Sequence, residues 1–172
     1  TSASPVALMF GKIIASSVAG IIQIAAIFGS AFISYGVNKP YFENNAIITT
    51  LFNFPASLVG YLLIFFLLGF LVYSFLFGAM ASTVSKIEDL SSALMLIQIV
   101  FVIGFVASTS AMSSGEVNSA FMKFLSLFPL TSPMAMFTRL AMSEVPGLEV
   151  ILSVILLILS TVFIGFIAAK IY

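Results

Sequence analysis

The residues best able to do chemistry are two adjacent acids, Glu88 and Asp89, in the polar segment 82–92. Paired carboxylates can act as general acid and general base, but such sites usually include a histidine or a nucleophile, and the chain has no His and no Cys. Ser85 and Glu88 have the spacing of a capping box, which predicts a tight capped turn before a helix. The alternative is a cytoplasmic contact for a partner protein. We therefore predict no catalytic residue and no metal site.

Two amides, Gln23 and Gln98, lie well inside apolar stretches. An amide inside a membrane is costly unless it is paired, so we expect each to form a hydrogen bond between helices, with substrate contact as the alternative. Small residues four positions apart, such as Gly104 and Ser108, predict close packing between spans. The alternative for this spacing is the polar lining of a transport path.

No phosphate-binding loop is present. Gly11-Lys12 has Val6 at the position where the Walker A motif needs glycine, so the chain is not expected to hydrolyse ATP by itself. Six Lys and Arg balance six Asp and Glu, which leaves no basic excess to hold a nucleic acid.

The amino-acid composition indicates whether water or lipid surrounds the chain. Of its 172 residues, 62% are hydrophobic and 7% are charged, against roughly 25% charged in soluble domains. Nineteen Phe side chains cannot be hidden inside a water-soluble globule of this size. These figures exclude a soluble enzyme, a nucleic-acid binder and a disordered segment. The chain is predicted to lie mostly in lipid.

The twelve charges divide the chain into apolar intervals. A helix needs about 20 apolar residues to cross a bilayer, and a charge at its centre costs on the order of 2.5–3.5 kcal/mol. Lipid offers no partner to open backbone groups, so each span must be helical. We predict an all-α membrane protein with four spans, at about 13–34, 58–81, 92–112 and 148–169.

The segment between the third and fourth spans is too broken to cross. Pro129 stops a short apolar stretch, and Thr131, Ser132 and Pro133 predict a new helix start in which hydroxyl caps precede proline. We predict a broken helical hairpin at about 117–145, which is either re-entrant or lies flat in the headgroup layer. Arg139 and Glu144 lie near this hairpin, and Arg139 is expected to be an interfacial charge that anchors or snorkels.

Charge does not decide the orientation of these spans. Each side of the membrane receives three basic residues: Lys12, Lys86 and Lys170 on one, and Lys39, Lys123 and Arg139 on the other.

Three segments together resemble the permeases of the ABC type-2 exporter family. They are Phe-Gly-Lys-Ile at 10–13, the Phe- and Leu-rich stretch 61–82 with the acidic pair that follows it, and Phe-Pro-Leu-Thr-Ser-Pro-Met at 128–134. Within the family, they are similar to the branch that includes sodium-extrusion permeases of the NatB kind. The resemblance covers nearly the whole chain.

The resemblance implies a permease of six spans with a large outer domain between its first two spans. This chain would be an excised part that begins before the third span. Segment 1–12 would then be a cytoplasmic coupling segment, and the hairpin would be extracytoplasmic and re-entrant. Residues that would contact the ATPase subunit are Pro5, Met9, Phe10, Lys12, Lys86, Glu88 and Asp89.

The implied function is export driven by ATP that a separate subunit hydrolyses. The partners would be an ABC ATPase subunit, a second permease copy and the lipid of a bacterial plasma membrane. This chain would bind no cofactor, since ATP and Mg²⁺ would lie on the ATPase subunit. The alternatives are a fragment of an ion-coupled carrier or channel, and a purely structural membrane subunit. Span centres without charge count against the carrier, because ion coupling often uses an intramembrane acid or histidine.

Overall fold

The computed structural model describes residues 5–42, 52, 55–84 and 87–171, and all regular structure in these ranges is helical. The four long helices are α1 (Pro5–Val37), α3 (Ala56–Thr83), α4 (Ile87–Ser114) and α7 (Gly147–Ile171). Short helices whose bounds are described are α2 (Lys39–Phe42), α5 (Ala120–Leu127) and α6 (Ser132–Met142). All four long helices are long and apolar enough to cross a membrane, which confirms the predicted fold class.

The first long helix begins before the predicted span at 13–34 and includes part of the predicted segment 1–12. Helix α1 runs without a break from Pro5 to Val37. Neither residue of the Gly11-Lys12 pair ends it, since a glycine inside a helix costs only about 1 kcal/mol. Met9 and Ile13 are one turn apart on the same face, and both are buried.

One end of the bundle brings together the ends of three long helices. Met9 of α1, Ala79 of α3 and Ala168 of α7 belong to a single buried cluster. The N-terminal end of α1 therefore lies beside the C-terminal ends of α3 and α7, so α1 runs antiparallel to both. We call this the charged end, because the exposed side chains of Lys12 and Lys170 lie here.

Helix α3 lies at the centre of the fold. Pro55 stands at its N-cap, where the missing N–H of proline is harmless. Its Phe65 and Val72 are buried in a cluster with Met136 of α6 and Leu157 of α7. The short helices before α7 are thus packed against the spans, which positions the polar residues described next.

Candidate functional site

Helices α5 and α6 form a hairpin whose turn is closed by hydroxyl groups. Ser119 caps α5 and accepts a hydrogen bond from the Met122 amide at 3.3 Å. The Thr131 hydroxyl donates to the Leu125 carbonyl at 2.7 Å. That carbonyl lies in the last turn of α5, where no helical N–H remains to pair with it. The Thr131 side chain therefore ties the start of α6 to the end of α5.

This arrangement corrects the predicted hydroxyl caps. Thr131 stands at the N-cap of α6, but its side chain makes no capping hydrogen bond to that helix. The Ser132 hydroxyl also points backwards and donates to the Pro129 carbonyl at 3.4 Å. Pro133 lies in the first turn of α6, where a proline fits. The helix start was predicted correctly, whereas the direction of its hydroxyls was not.

The tip of the hairpin (130–133) contacts the middle of two spans. The Tyr73 hydroxyl of α3 donates to the Leu130 carbonyl at 2.6 Å. Gly69 of α3 faces Pro133 so closely that a Cβ at this glycine would lie 2.7 Å from the Pro133 Cγ. On α4, a Cβ at Gly104 would lie 3.2 Å from the Thr131 methyl carbon. Both glycines let the hairpin backbone approach the spans.

These contacts set the depth of the tip along the bundle. Gly69 lies halfway along α3, about 20 Å from either end at 1.5 Å per residue. Gly104 lies ten residues, or about 15 Å, from the end of α4 at Ser114. The close packing predicted for Gly104 is thus made with the hairpin rather than with another span.

A buried arginine joins the hairpin to the last span. Arg139 of α6 is 1% exposed. Its Nη1 donates to the Ser126 hydroxyl of α5 at 2.7 Å, and its Nη2 donates to Glu149 Oε2 of α7 at 2.7 Å. Its Nε donates to Asn118 Oδ1 at 3.2 Å. In the same region, the Ser153 hydroxyl of α7 donates to the Ser126 carbonyl at 2.6 Å.

The expectation that Arg139 snorkels to a polar surface is wrong, because its side chain is buried within the protein. The guanidinium presents its donors in a planar fork, and three of its N–H groups are paired inside the protein. Its ion-pair partner is Glu149 and not the nearby Glu144, which is exposed. Burial of a charge is tolerated here because the charge is paired and hydrogen-bonded. No local sequence pattern points to Asn118, Ser126 or Glu149 as partners of Arg139 beyond their polar types.

The residues predicted to contact an ATPase subunit divide into buried and exposed groups. Lys12 and Asp89 are exposed, and both lie close to the charged end. Met9 is 2% exposed and packs within its own chain. Phe10 is half-buried and meets the Phe75 ring edge-on at 5.4 Å.

The remaining predicted contacts are only partly described. Pro5 begins α1, and Glu88 lies in the first turn of α4. Lys86, together with Ser85 of the predicted capping box, lies outside the described residues, and so does the side chain of Glu88. The predicted capping box therefore stays a prediction.

The two amides face outward from their helices. Gln23 on α1 and Gln98 on α4 are exposed, and in the described part of the chain neither forms a hydrogen bond to another helix. The expected helix-to-helix hydrogen bonds are thus missing from these ranges. Gln98 lines an open groove of about 730 Å³ between α3 and α4, whereas Gln23 does not.

Within the described ranges, no group of three His, Cys, Asp or Glu side chains could hold a metal ion. The buried Ser126, Thr131, Ser132 and Arg139 of the hairpin all form hydrogen bonds within the protein. What the geometry offers is a packed hairpin, a charged end and an apolar groove.

Comparison with known proteins places these features in context. Residues 1–170 match the family described as ABC-2 family transporter protein. Similar proteins include the uncharacterized protein YhaP of Bacillus subtilis (strain 168), 29% identical over 174 residues, and the uncharacterized protein MJ1024 of Methanocaldococcus jannaschii, 30% identical over 165 residues. The alignments cover 100% and 96% of this chain but 41% and 38% of the relatives, so the chain spans about two fifths of their length. No solved structure matches the chain.

Proposed function

Because the chain belongs to the ABC-2 family of transporter proteins, we propose that it is the membrane-spanning permease part of an exporter powered by ATP that a separate subunit hydrolyses. The observation that carries this proposal is the family match over residues 1–170, together with four membrane-length helices in the same range. ABC-2 membrane domains are transport components that generally work with an ATPase subunit. The failed Walker A match at Gly11-Lys12 is consistent with ATP chemistry on another chain.

The charged end is the proposed cytoplasmic face. It presents Lys12, Asp89 and Lys170 to solvent, and Lys86 and Glu88 are close to Asp89 in the sequence. Surface charges of both signs suit a polar contact that forms and adjusts during a transport cycle. We assign Met9 a packing role beneath this face rather than a direct contact with the ATPase.

The hairpin is proposed to enter the membrane from the opposite, extracytoplasmic side. The depth of its tip beside Gly69 and Tyr73 supports this placement over helices lying flat in the headgroup layer. Non-helical backbone is tolerated at membrane depth where protein covers it. Leu130 meets this condition because its carbonyl is satisfied by the Tyr73 hydroxyl.

In the proposed mechanism, ATP binding closes a pair of ATPase subunits, and the charged ends of two permease copies follow that motion. Each permease then shifts between two arrangements of its spans, and ATP biases the equilibrium between them. The finer assignment to the branch with NatB-type sodium-extrusion permeases rests on the three sequence segments and is also a proposal.

Replacing the acidic pair tests the proposed face. In the complex of the full-length permease with its ATPase subunit, Glu88→Ala/Asp89→Ala is expected to lower transport-coupled ATPase activity about fivefold to thirtyfold, since 1–2 kcal/mol of contact energy corresponds to that range. The measurement is ATP hydrolysis in proteoliposomes at low and high salt, because screening should weaken the wild-type contact as well.

Two exposed carboxylates at the other end of the bundle provide the control. Glu116→Ala/Glu144→Ala removes the same charge without touching the charged end and is expected to leave coupled activity unchanged. Equal activity in both double variants and the wild type would place the ATPase contact elsewhere. Alanine at Met9 is unsuitable for this test, since it would also remove packing from the buried cluster.

A further inference from the structure

The groove between α3 and α4 has the size of a small-molecule site. Its volume of about 730 Å³ lies within the roughly 300–1,000 Å³ range of ligand pockets. Aromatic side chains make up nearly half of its lining, namely Phe65, Phe66, Phe70, Tyr73 and Phe77 of α3 and Phe101 of α4. Such walls bind flat aromatic groups through stacked and edge-on contacts.

The described residues that line this groove are all uncharged. An ion that entered would lose its hydration without compensation, which is costly in an apolar site. The groove therefore favours an uncharged occupant.

Two polar side chains nevertheless face the groove at a matched depth. Ser74 lies nine residues before the end of α3, and Gln98 lies eleven residues after the start of α4, which places them about 14 and 17 Å from the same end of the bundle. The edge-on contact of Tyr73 with Phe101 at 5.5 Å confirms that these parts of the helices are neighbours. In the described part of the chain, neither polar side chain is hydrogen-bonded.

These observations specify the chemistry of the occupant. A hydrocarbon tail would leave the Ser74 hydroxyl and the Gln98 amide unpaired inside the membrane, at a cost that a polar group on the occupant removes. We propose that the groove binds an uncharged aromatic amphiphile that carries one hydrogen-bonding group at the level of Ser74 and Gln98. As a substrate class this deepens the proposed export function and rests on it, whereas the binding itself does not require ATP.

The hairpin forms part of the same groove. Pro133 and Met134 of α6 line it, and Pro133 is the residue that Gly69 contacts. A shift of the hairpin tip relative to α3 therefore changes the shape of the groove. This shared wall gives the two arrangements of the permease different affinities for the occupant, as coupling requires.

Photolabelling with benzophenone tests the site. Benzophenone is uncharged and aromatic and has one carbonyl that the Gln98 amide can donate to. On irradiation its ketone oxygen takes a hydrogen atom from a nearby C–H group, and the two resulting carbon radicals join. With the full-length protein in lipid nanodiscs and without ATP, we expect peptide mapping to find the label concentrated on α3, α4 and Met134. Diphenylmethanol, an uncharged competitor, should displace it, and the diphenylacetate anion should not.

Gln98→Leu keeps the size of the side chain and is expected to reduce labelling about fivefold, the equivalent of one hydrogen bond of about 1 kcal/mol. Ser74→Ala provides a second variant if Gln98→Leu does not elute as a single species. Gln23→Leu is the matched control, because this amide is exposed on α1 and does not line the groove, and its labelling should equal that of the wild type.

Label spread evenly over the outer faces of the helices, or unaffected by Gln98→Leu, would overturn the proposal. The proposal would also be overturned if the groove stayed unlabelled and Phe101→Cys cross-linked to another segment of the full-length protein, because a helix would then fill the groove. Groove labelling in a preparation that shows no coupled ATPase activity would support the binding site while contradicting the export function.

Discussion

Glu149→Leu is expected to destabilise the protein by about 3–5 kcal/mol, because it leaves Arg139 charged, buried and without its anionic partner. Arg139 is 1% exposed and cannot reach water to recover its hydration. Arg139→Met should cost less, since Glu149 is 29% exposed and can remain hydrated when its partner is removed. A larger loss of stability in Glu149→Leu than in Arg139→Met distinguishes a buried pair from a surface salt bridge. For a surface salt bridge, removing either partner would cost at most about 1 kcal/mol.

A double variant that removes both charges also tests whether Arg139 and Glu149 form a buried ion pair. Arg139→Met/Glu149→Leu removes both charges and is expected to recover most of the loss, since apolar replacements of a buried pair are often neutral or stabilising. Glu144→Leu is the control, because Glu144 is exposed and should change stability by no more than about 0.5 kcal/mol. The measurement is the unfolding midpoint of the full-length protein in one detergent. Equal midpoints for Glu149→Leu and Glu144→Leu would contradict the buried pair.

A disulfide between the hairpin tip and α4 is expected to form in most molecules when Gly104→Cys and Thr131→Cys are combined. A Cβ at Gly104 would lie 3.3 Å from the Thr131 Cβ, close to the 3.5–4.5 Å that disulfides span, and a slight outward shift brings the pair into range. The chain has no native cysteine to compete within these 172 residues. Peptide mapping under oxidising and reducing conditions, with any cysteine elsewhere in the full-length protein replaced by serine, measures the yield.

The control pair replaces Gly104 with a glycine that has no close neighbour. Gly60→Cys with Thr131→Cys should remain reduced, because nothing lies within 4 Å of a Cβ at Gly60. A hairpin that lay flat in the headgroup layer would leave both pairs reduced. That result would contradict the re-entrant placement while leaving the four spans intact.

The spans and the breaks of the hairpin could be predicted from the sequence because their signals are local. Charge-free intervals of sufficient length predict spanning helices wherever they occur, and Pro129 and Pro146 interrupt helices at the positions where they stand. Charge-free intervals predict spans but not helix ends, and helix α1 continues on the N-terminal side of Gly11 and Lys12. A helix can continue through a single charged residue and a glycine near its end.

The polar core of the hairpin could not be predicted, because its partners are distant in sequence. Arg139 binds groups 10, 13 and 21 residues away, and their meeting depends on how α5, α6 and α7 pack. By type alone, an arginine beside an apolar helix indicates an interfacial anchor. The acceptor of the Thr131 hydroxyl is also set by the fold, since the Leu125 carbonyl comes within reach only when the hairpin has formed. Local propensity does not contain this information.

The proposed function depends most directly on whether this permease works with a separate ATPase. The decisive measurement is the composition and ATPase activity of the tagged full-length protein, extracted from its own membrane into lipid nanodiscs. We expect an ATP-binding cassette subunit in about equal amount to the permease, with magnesium-dependent ATP hydrolysis in the same fraction. A permease that elutes without a nucleotide-binding subunit, and whose transport in vesicles proceeds without ATP, would contradict the proposal.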